Sequence, residues 1–139
     1  MRTSARRRRT PAEPIDAPTV AAMPLLDISP RPLRGAPCLA VSGELDIAAV
    51  PKLERALDAA IAGSTGAFFI DVCELEFLDS SGIRALLRAR ALLGREDRML
   101  ALVCPAGPVR RALDVVGVSD LFTIYASRAD AAGAVVPPA

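Results

Sequence analysis

Between Phe68 and Arg90 the chain reads FFIDVCELEFLDSSGIRALLRAR, an apolar and partly β-branched run that gives way to a polar turn and then to helical spacing. Phe68, Phe69, Ile70 and Val72 predict a strand covered on both faces, because a half-exposed strand would alternate apolar with polar residues. Glu74 and Glu76 break the run, which predicts that the chain leaves the sheet before it reaches Asp79. Asp79-Ser80-Ser81-Gly82 then opens a helix. From there Ile83, Leu86, Leu87, Ala91 and Leu93 share one helical face, while Arg84, Arg88 and Arg95 fall on another. A helix start has unpaired backbone N–H groups and a partial positive charge, so Asp and Ser are favoured there, and so is a bound or covalent anion. Spacing alone does not separate a capping serine from a modified or catalytic one.

The other elements follow by the same reasoning. Residues 1–24 combine an arginine cluster, Arg6 to Arg9, with repeated prolines and no periodic apolar face, so they are expected to form a disordered tail. Residues 25–139 are expected to form one domain. Leu25 to Ser29 predicts a short edge strand, limited by Pro30 and Pro32. Cys38 to Ser42 predicts a central strand that ends at Gly43-Glu44-Leu45-Asp46. A helix over Ala48 to Ala62, with Pro51 in its first turn, puts Leu53, Leu57, Ala60 and Ile61 on one face. Met99 to Val103 is a further buried strand. Pro108 starts a helix whose apolar face holds Val109, Ala112, Leu113 and Val116, and Gly117 stops it. Leu121 to Tyr125 is a last strand, and Ser127 caps a helix running to Val135. The order β-β-α-β-α-β-α-β-α predicts an α/β fold: a mixed, mostly parallel sheet of about five strands packed with about four helices, its first two strands antiparallel.

Several chemistries are excluded by what the chain lacks. It contains no histidine and no CxxC pair, which removes the usual zinc ligand sets and every Ser-His or Cys-His nucleophile. No metal site, catalytic residue or cofactor is expected. There is no GxGxxG or P-loop pattern to hold a nucleotide. Residues 1–24 carry five arginines and two acids, so residues 25–139 keep 12 basic and 14 acidic side chains, a balance that argues against direct nucleic-acid binding by the domain. No apolar run approaches a membrane span and no signal-peptide core is present, and Cys38, Cys73 and Cys104 fit buried thiols of a reduced compartment. A cytoplasmic location is the expectation.

At Gly43-Glu44-Leu45-Asp46 and Phe77-Leu78-Asp79-Ser80-Ser81-Gly82-Ile83 the chain resembles the STAS-domain family, in particular bacterial anti-sigma-factor antagonists. The likeness extends over about Leu25 to Val135 and includes Gly117 followed by the Phe122-containing strand. It implies a STAS-like single domain. It also implies that Ser81, the second serine of the DSSG turn, is phosphorylated, and that Asp79 and Asp46 take the places of the acid before it and of the aspartate that helps meet the partner; Ser80, Gly82, Ile83 and Arg84, around Ser81, are expected on the same partner-binding face. That partner would be an anti-sigma factor that is itself a serine kinase, captured by the unphosphorylated form so that a sigma factor is released for transcription; a serine phosphatase would reverse the mark. Arg84 departs from the family, where many relatives have a small residue, and this bears on which kinase fits. The arginine-rich tail lies outside the family pattern.

Two other classes remain beside this one. A STAS scaffold subunit of a stress-signalling or lipid-transport assembly would not need Ser81 to turn over phosphate. An enzyme with Ser81 as nucleophile would need Lys52 or a carboxylate as its base, and no motif places either beside Ser81. For Asp46 and Asp79 the residues alone leave open a turn or cap role next to the binding role.

Overall fold

A computed structural model describes residues 25–135. Residues 1–24, with the expected disordered tail, and residues 136–139 lie outside the described residues. The elements are β1 (Asp27–Pro30), β2 (Cys38–Leu45), α1 (Val50–Ala62), β3 (Phe68–Leu78), α2 (Ser80–Gly94), β4 (Leu100–Val103), α3 (Pro108–Val115), a 3-10 turn (Ser119–Leu121), β5 (Thr123–Tyr125) and α4 (Arg128–Gly133). This is the expected order of five strands and four helices. Strand order in the sheet equals chain order, β1-β2-β3-β4-β5, with β1 antiparallel to β2 and the remaining pairs parallel.

Each face of the sheet is buried by a different set of helices. Leu53, Leu57 and Ile61 of α1, Leu86 and Leu93 of α2, and Val109 and Leu113 of α3 pack with Val41, Phe68, Ile70 and Leu102 into the larger core. On the other face Cys38, Phe69, Ala101 and Val103 pack with Leu33 and with Ala131 of α4. Phe68, Phe69 and Ile70 are therefore buried from alternate sides, which is why this run shows no alternation.

The structure corrects several boundaries. β2 does not end at Gly43 but continues to Leu45, and β3, which leaves the sheet before Asp79 as expected, is not broken at Glu74 and Glu76 but continues to Leu78. These two extensions support each other, since Ser42 pairs with Glu74, Gly43 with Leu75, Glu44 with Phe77 and Leu45 with Leu78. Glu74 and Glu76 are exposed while Leu75 and Leu78 are buried, so the second half of β3 has one wet face. Gly43 does bend the backbone, at φ +95°, next to a register shift; a Cβ there would stand 2.0 Å from the Leu25 carbonyl oxygen.

Other differences concern which apolar side chains face inward. On α2, Ala85 and Ala89 are buried and Ala91 is exposed, because the small residues sit where the helix approaches its neighbours. Val116 was expected inside and is exposed, as is Met99, which precedes β4. Leu121 belongs to the 3-10 turn, α1 begins at Val50, and α4 ends at Gly133 rather than Val135. Cys38 and Cys104 are buried; Cys73 is half-buried.

Candidate functional site

The parallel pairing of β2 with β3 puts the GELD turn and the DSSG turn side by side. Leu45 and Leu78 are register partners, so Asp46 and Asp79 each follow the end of an adjacent strand at the same edge of the sheet, and Asp79 N donates to the Leu45 carbonyl at 3.3 Å. Both aspartates organise the start of the helix that follows. Asp79 is the N-cap of α2, its Oδ1 accepting from Ser81 N at 3.0 Å and from Gly82 N at 3.1 Å. Asp46 Oδ1 accepts from Ala49 N at 3.0 Å and so closes the turn into α1.

Gly82 sets how close the two elements come. A Cβ on it would lie 2.6 Å from Leu78 Cδ1 and 2.8 Å from Leu45 Cγ, so only glycine lets the first turn of α2 rest against the ends of both strands. This contact fixes Ser81, one residue earlier, at the rim of the molecule. Ser80 and Arg84 are exposed, Ser81, Asp46 and Asp79 are half-buried, and Gly82 and Ile83 are buried. No hydrogen bond among the described residues uses the Ser81 hydroxyl, whereas its amide is held by the cap.

A groove opens on either side of this turn. Asp79, Ser80 and Ile83 line one, together with Arg111, Val115 and Val116 of the α3 end. Ser81 and Arg84 line the other, together with Ile47, Val50 and Glu54. Val115 is 80% exposed and Ile47 71% exposed, so each groove ends in a large apolar side chain turned to water. Sequence reasoning missed these two. Ile47 had one available signal, an apolar residue placed in a polar turn between a strand and a helix.

The remaining chemistry lies away from the turn. Asp71 is buried in β3 and paired at 2.8 Å with Arg128 of α4, which also donates to the carbonyls of Arg31 and Pro32. Burial alone would raise the Asp71 pKa, but hydrogen bonds from the Cys73 thiol, Arg128 and the Cys73 amide outweigh it and hold the carboxyl below its ordinary value. Burial, with Asp71 beside it, pushes the Cys73 thiol up to about 12. Lys52, a candidate base for a serine nucleophile, instead donates its ammonium to the Leu26 carbonyl. Among the described residues no group of His, Cys, Asp and Glu could hold a metal ion, and no helix is long and apolar enough to cross a membrane.

The family model for the STAS domain matches residues 28–131, from β1 through α4 and across both turns. The chain belongs to the STAS domain family. Among the relatives of this STAS domain is the anti-sigma-F factor antagonist RsfB of Mycobacterium tuberculosis, 27% identical over 97 residues that cover 70% of this chain and 79% of that protein. The anti-sigma-B factor antagonist of Staphylococcus aureus is 25% identical over 84 residues, covering 60% of this chain and 78% of the relative. The crystal structure of an anti-sigma factor antagonist from Mycobacterium paratuberculosis superposes on this STAS domain with a TM-score of 0.73 at 32% identity, over 80% of this chain and 94% of the other. The family of this chain and its single-domain α/β fold are thus those that the two motifs implied.

Proposed function

We propose that this STAS domain is an anti-sigma-factor antagonist whose binding face is switched by phosphorylation of Ser81. The observation that carries the reading is the turn itself: Asp79 holds the Ser81 and Gly82 amides, while the Ser81 hydroxyl, at the rim between two grooves, is bonded to none of the described residues. The names of the curated relatives and of the matching crystal structure support the antagonist role. In the unmodified state the rim, with Ile47 on one side and Val115 on the other, offers apolar contacts beside a small neutral hydroxyl. An anti-sigma factor that is a serine kinase docks there and is kept from its sigma factor, in the cytoplasm where transcription takes place.

The kinase brings the nucleoside triphosphate. The Ser81 Oγ–P bond forms as the bond between the β–γ bridging oxygen and the γ-phosphorus breaks, the hydroxyl proton passes to the kinase's base, and the diphosphate leaves. The phosphate adds about −1.5 to −2 charges at neutral pH. Docking over it requires stripping water from an anion beside the Asp79 carboxylate, and a binding loss of roughly 3 kcal/mol corresponds to about a hundredfold in affinity. A serine phosphatase restores the binding form.

Recovering partners from cell extract with wild type and with Ser81→Ala, followed by calorimetric titration of the recovered protein, tests this. Wild type and Ser81→Ala bind alike, and Ser81→Asp binds on the order of a hundredfold more weakly with an unchanged circular dichroism spectrum. Equal affinities for all three would leave Ser81 as part of a cap and the domain as a scaffold without a switch.

A further inference from the structure

Asp79 has already taken two of the amides that an anion at this helix start would use. Its Oδ1 holds Ser81 N and Gly82 N, and the next amide, Ile83 N, bonds the Asp79 carbonyl at 3.0 Å. A phosphate on Ser81 therefore arrives beside a carboxylate and finds these donors occupied. It needs a cation.

Three charged side chains line the groove that Ser81 enters: Glu54 from α1, and Arg84 and Arg88 from α2. Arg88 is committed, with its two terminal nitrogens 3.0 and 3.2 Å from the Asp58 carboxylate oxygens and its Nε 3.9 Å from Glu54. Arg84 is exposed, and its side chain makes no hydrogen bond or ion pair among the described residues. It follows Ser81 by three positions, a spacing at which Cβ atoms on a helix are about 5–6 Å apart. A long helical side chain leans toward the N-terminus, so Arg84 covers the turn that holds Ser81.

We infer that Arg84 is the intramolecular partner of the phosphate on Ser81, so that modification folds the guanidinium down into the groove as a closed ion pair. The inference rests on the reading of Ser81 as a phosphorylation site. Guanidinium and phosphate meet by two parallel hydrogen bonds, a geometry that a lysine cannot reproduce. Two features of the docking face change together: the hydroxyl becomes an anion, and the free cation beside it is withdrawn from any partner.

Phosphoserine installed at position 81 during synthesis of the full chain, with no kinase present, tests the pairing separately from whether a kinase ever modifies Ser81. A 31P NMR titration reads the second ionisation of the phosphate. Asp79 and Glu54 keep their partners in the Arg84 variants, so differences among these report Arg84, whereas Arg88→Ala also releases Glu54 and Asp58 and is read together with an Arg88→Lys control. Arg84→Ala raises the midpoint by about half a pH unit, the size expected for loss of one charge-assisted contact on a helix surface. Arg84→Lys raises it by less, and Arg88→Lys leaves it in place. Failure of a kinase to modify Ser81 would undo the functional reading and leave this titration standing. Equal midpoints for wild type and Arg84→Ala overturn the inference, as does a shift produced by Arg88→Ala and Arg88→Lys alike.

Discussion

Asp71 and Arg128 stand 57 residues apart in the chain and meet at 2.8 Å beneath α4, with the carboxylate only 3% exposed. The pair fastens the last helix to the central strand.

The first prediction concerns acid. Because the folded-state pKa of Asp71 is held below its unfolded value, its contribution is present above the unfolded carboxylate pKa of about 3.9 and is lost as pH falls through the folded one. Urea denaturation at a series of pH values below 5 should therefore show stability falling more steeply in wild type than in an Asp71→Asn variant. At neutral pH, Arg128→Ala leaves a buried charge unpaired and should cost about 3 kcal/mol, the low end of the range for buried pairs because the Arg128 side chain is 26% exposed. Replacing both partners by apolar residues should cost less than Arg128→Ala alone.

Gly82→Ala tests how close α2 lies to the strands. The added methyl meets Leu78 and Leu45 inside 3 Å, and overpacking of this kind costs roughly 1 to 3 kcal/mol, offset in part by about 1 kcal/mol of better helix propensity. A net loss of stability is expected in thermal melts, and a double-mutant cycle should show Gly82→Ala costing less in a Leu78→Ala background than in wild type, although Leu78→Ala is itself destabilising. A melt equal to or above wild type would show that the approach is looser than the geometry describes.

Asp46→Ala should act on two quantities. Losing the Oδ1 bond to Ala49 N costs about 1 kcal/mol of stability, the usual net worth of one intramolecular hydrogen bond. If Asp46 also touches the partner, calorimetry at a temperature where the variant is fully folded should show weaker binding. Unchanged affinity would leave Asp46 with its turn alone.

The thiols give a fourth prediction. Burial raises the pKa of Cys38 and Cys104, and Cys73 is pushed up to about 12, so little thiolate exists at pH 8. An alkylating reagent should label none of the three appreciably in the native protein and all of them in urea. Fast native labelling of Cys73 would contradict its placement beside Asp71.

The central strand, the polar turn and the helix after it were legible because each carries a strong local signal: a dense apolar run, a capping acid and a 3.6-residue period. What escaped notice depends on distant parts of the chain. Glu74 and Glu76 look like the end of a strand until β2 is paired alongside, and only then does the exposure of one face make sense. Asp71 gives no hint of an ion pair because its partner comes from the last helix. Ala85 and Ala89 carry too little apolar surface to mark a buried face, although they let α2 approach closely. Arg84 was noticed from the resemblance, but the engagement of Arg88 with Asp58, which leaves Arg84 without a described partner, became visible only in three dimensions.

Since strand order equals chain order, the sheet can grow strand by strand as the ribosome releases it, each new strand finding its neighbour already in place. Asp71 is the exception to this orderly growth. At about 5 to 20 residues per second, the 57 residues that separate it from Arg128 take roughly 3 to 11 seconds to synthesise. Throughout that interval the nascent chain carries a carboxylate in its central strand with no counter-ion, and only the arrival of the final helix lets the sheet close over it.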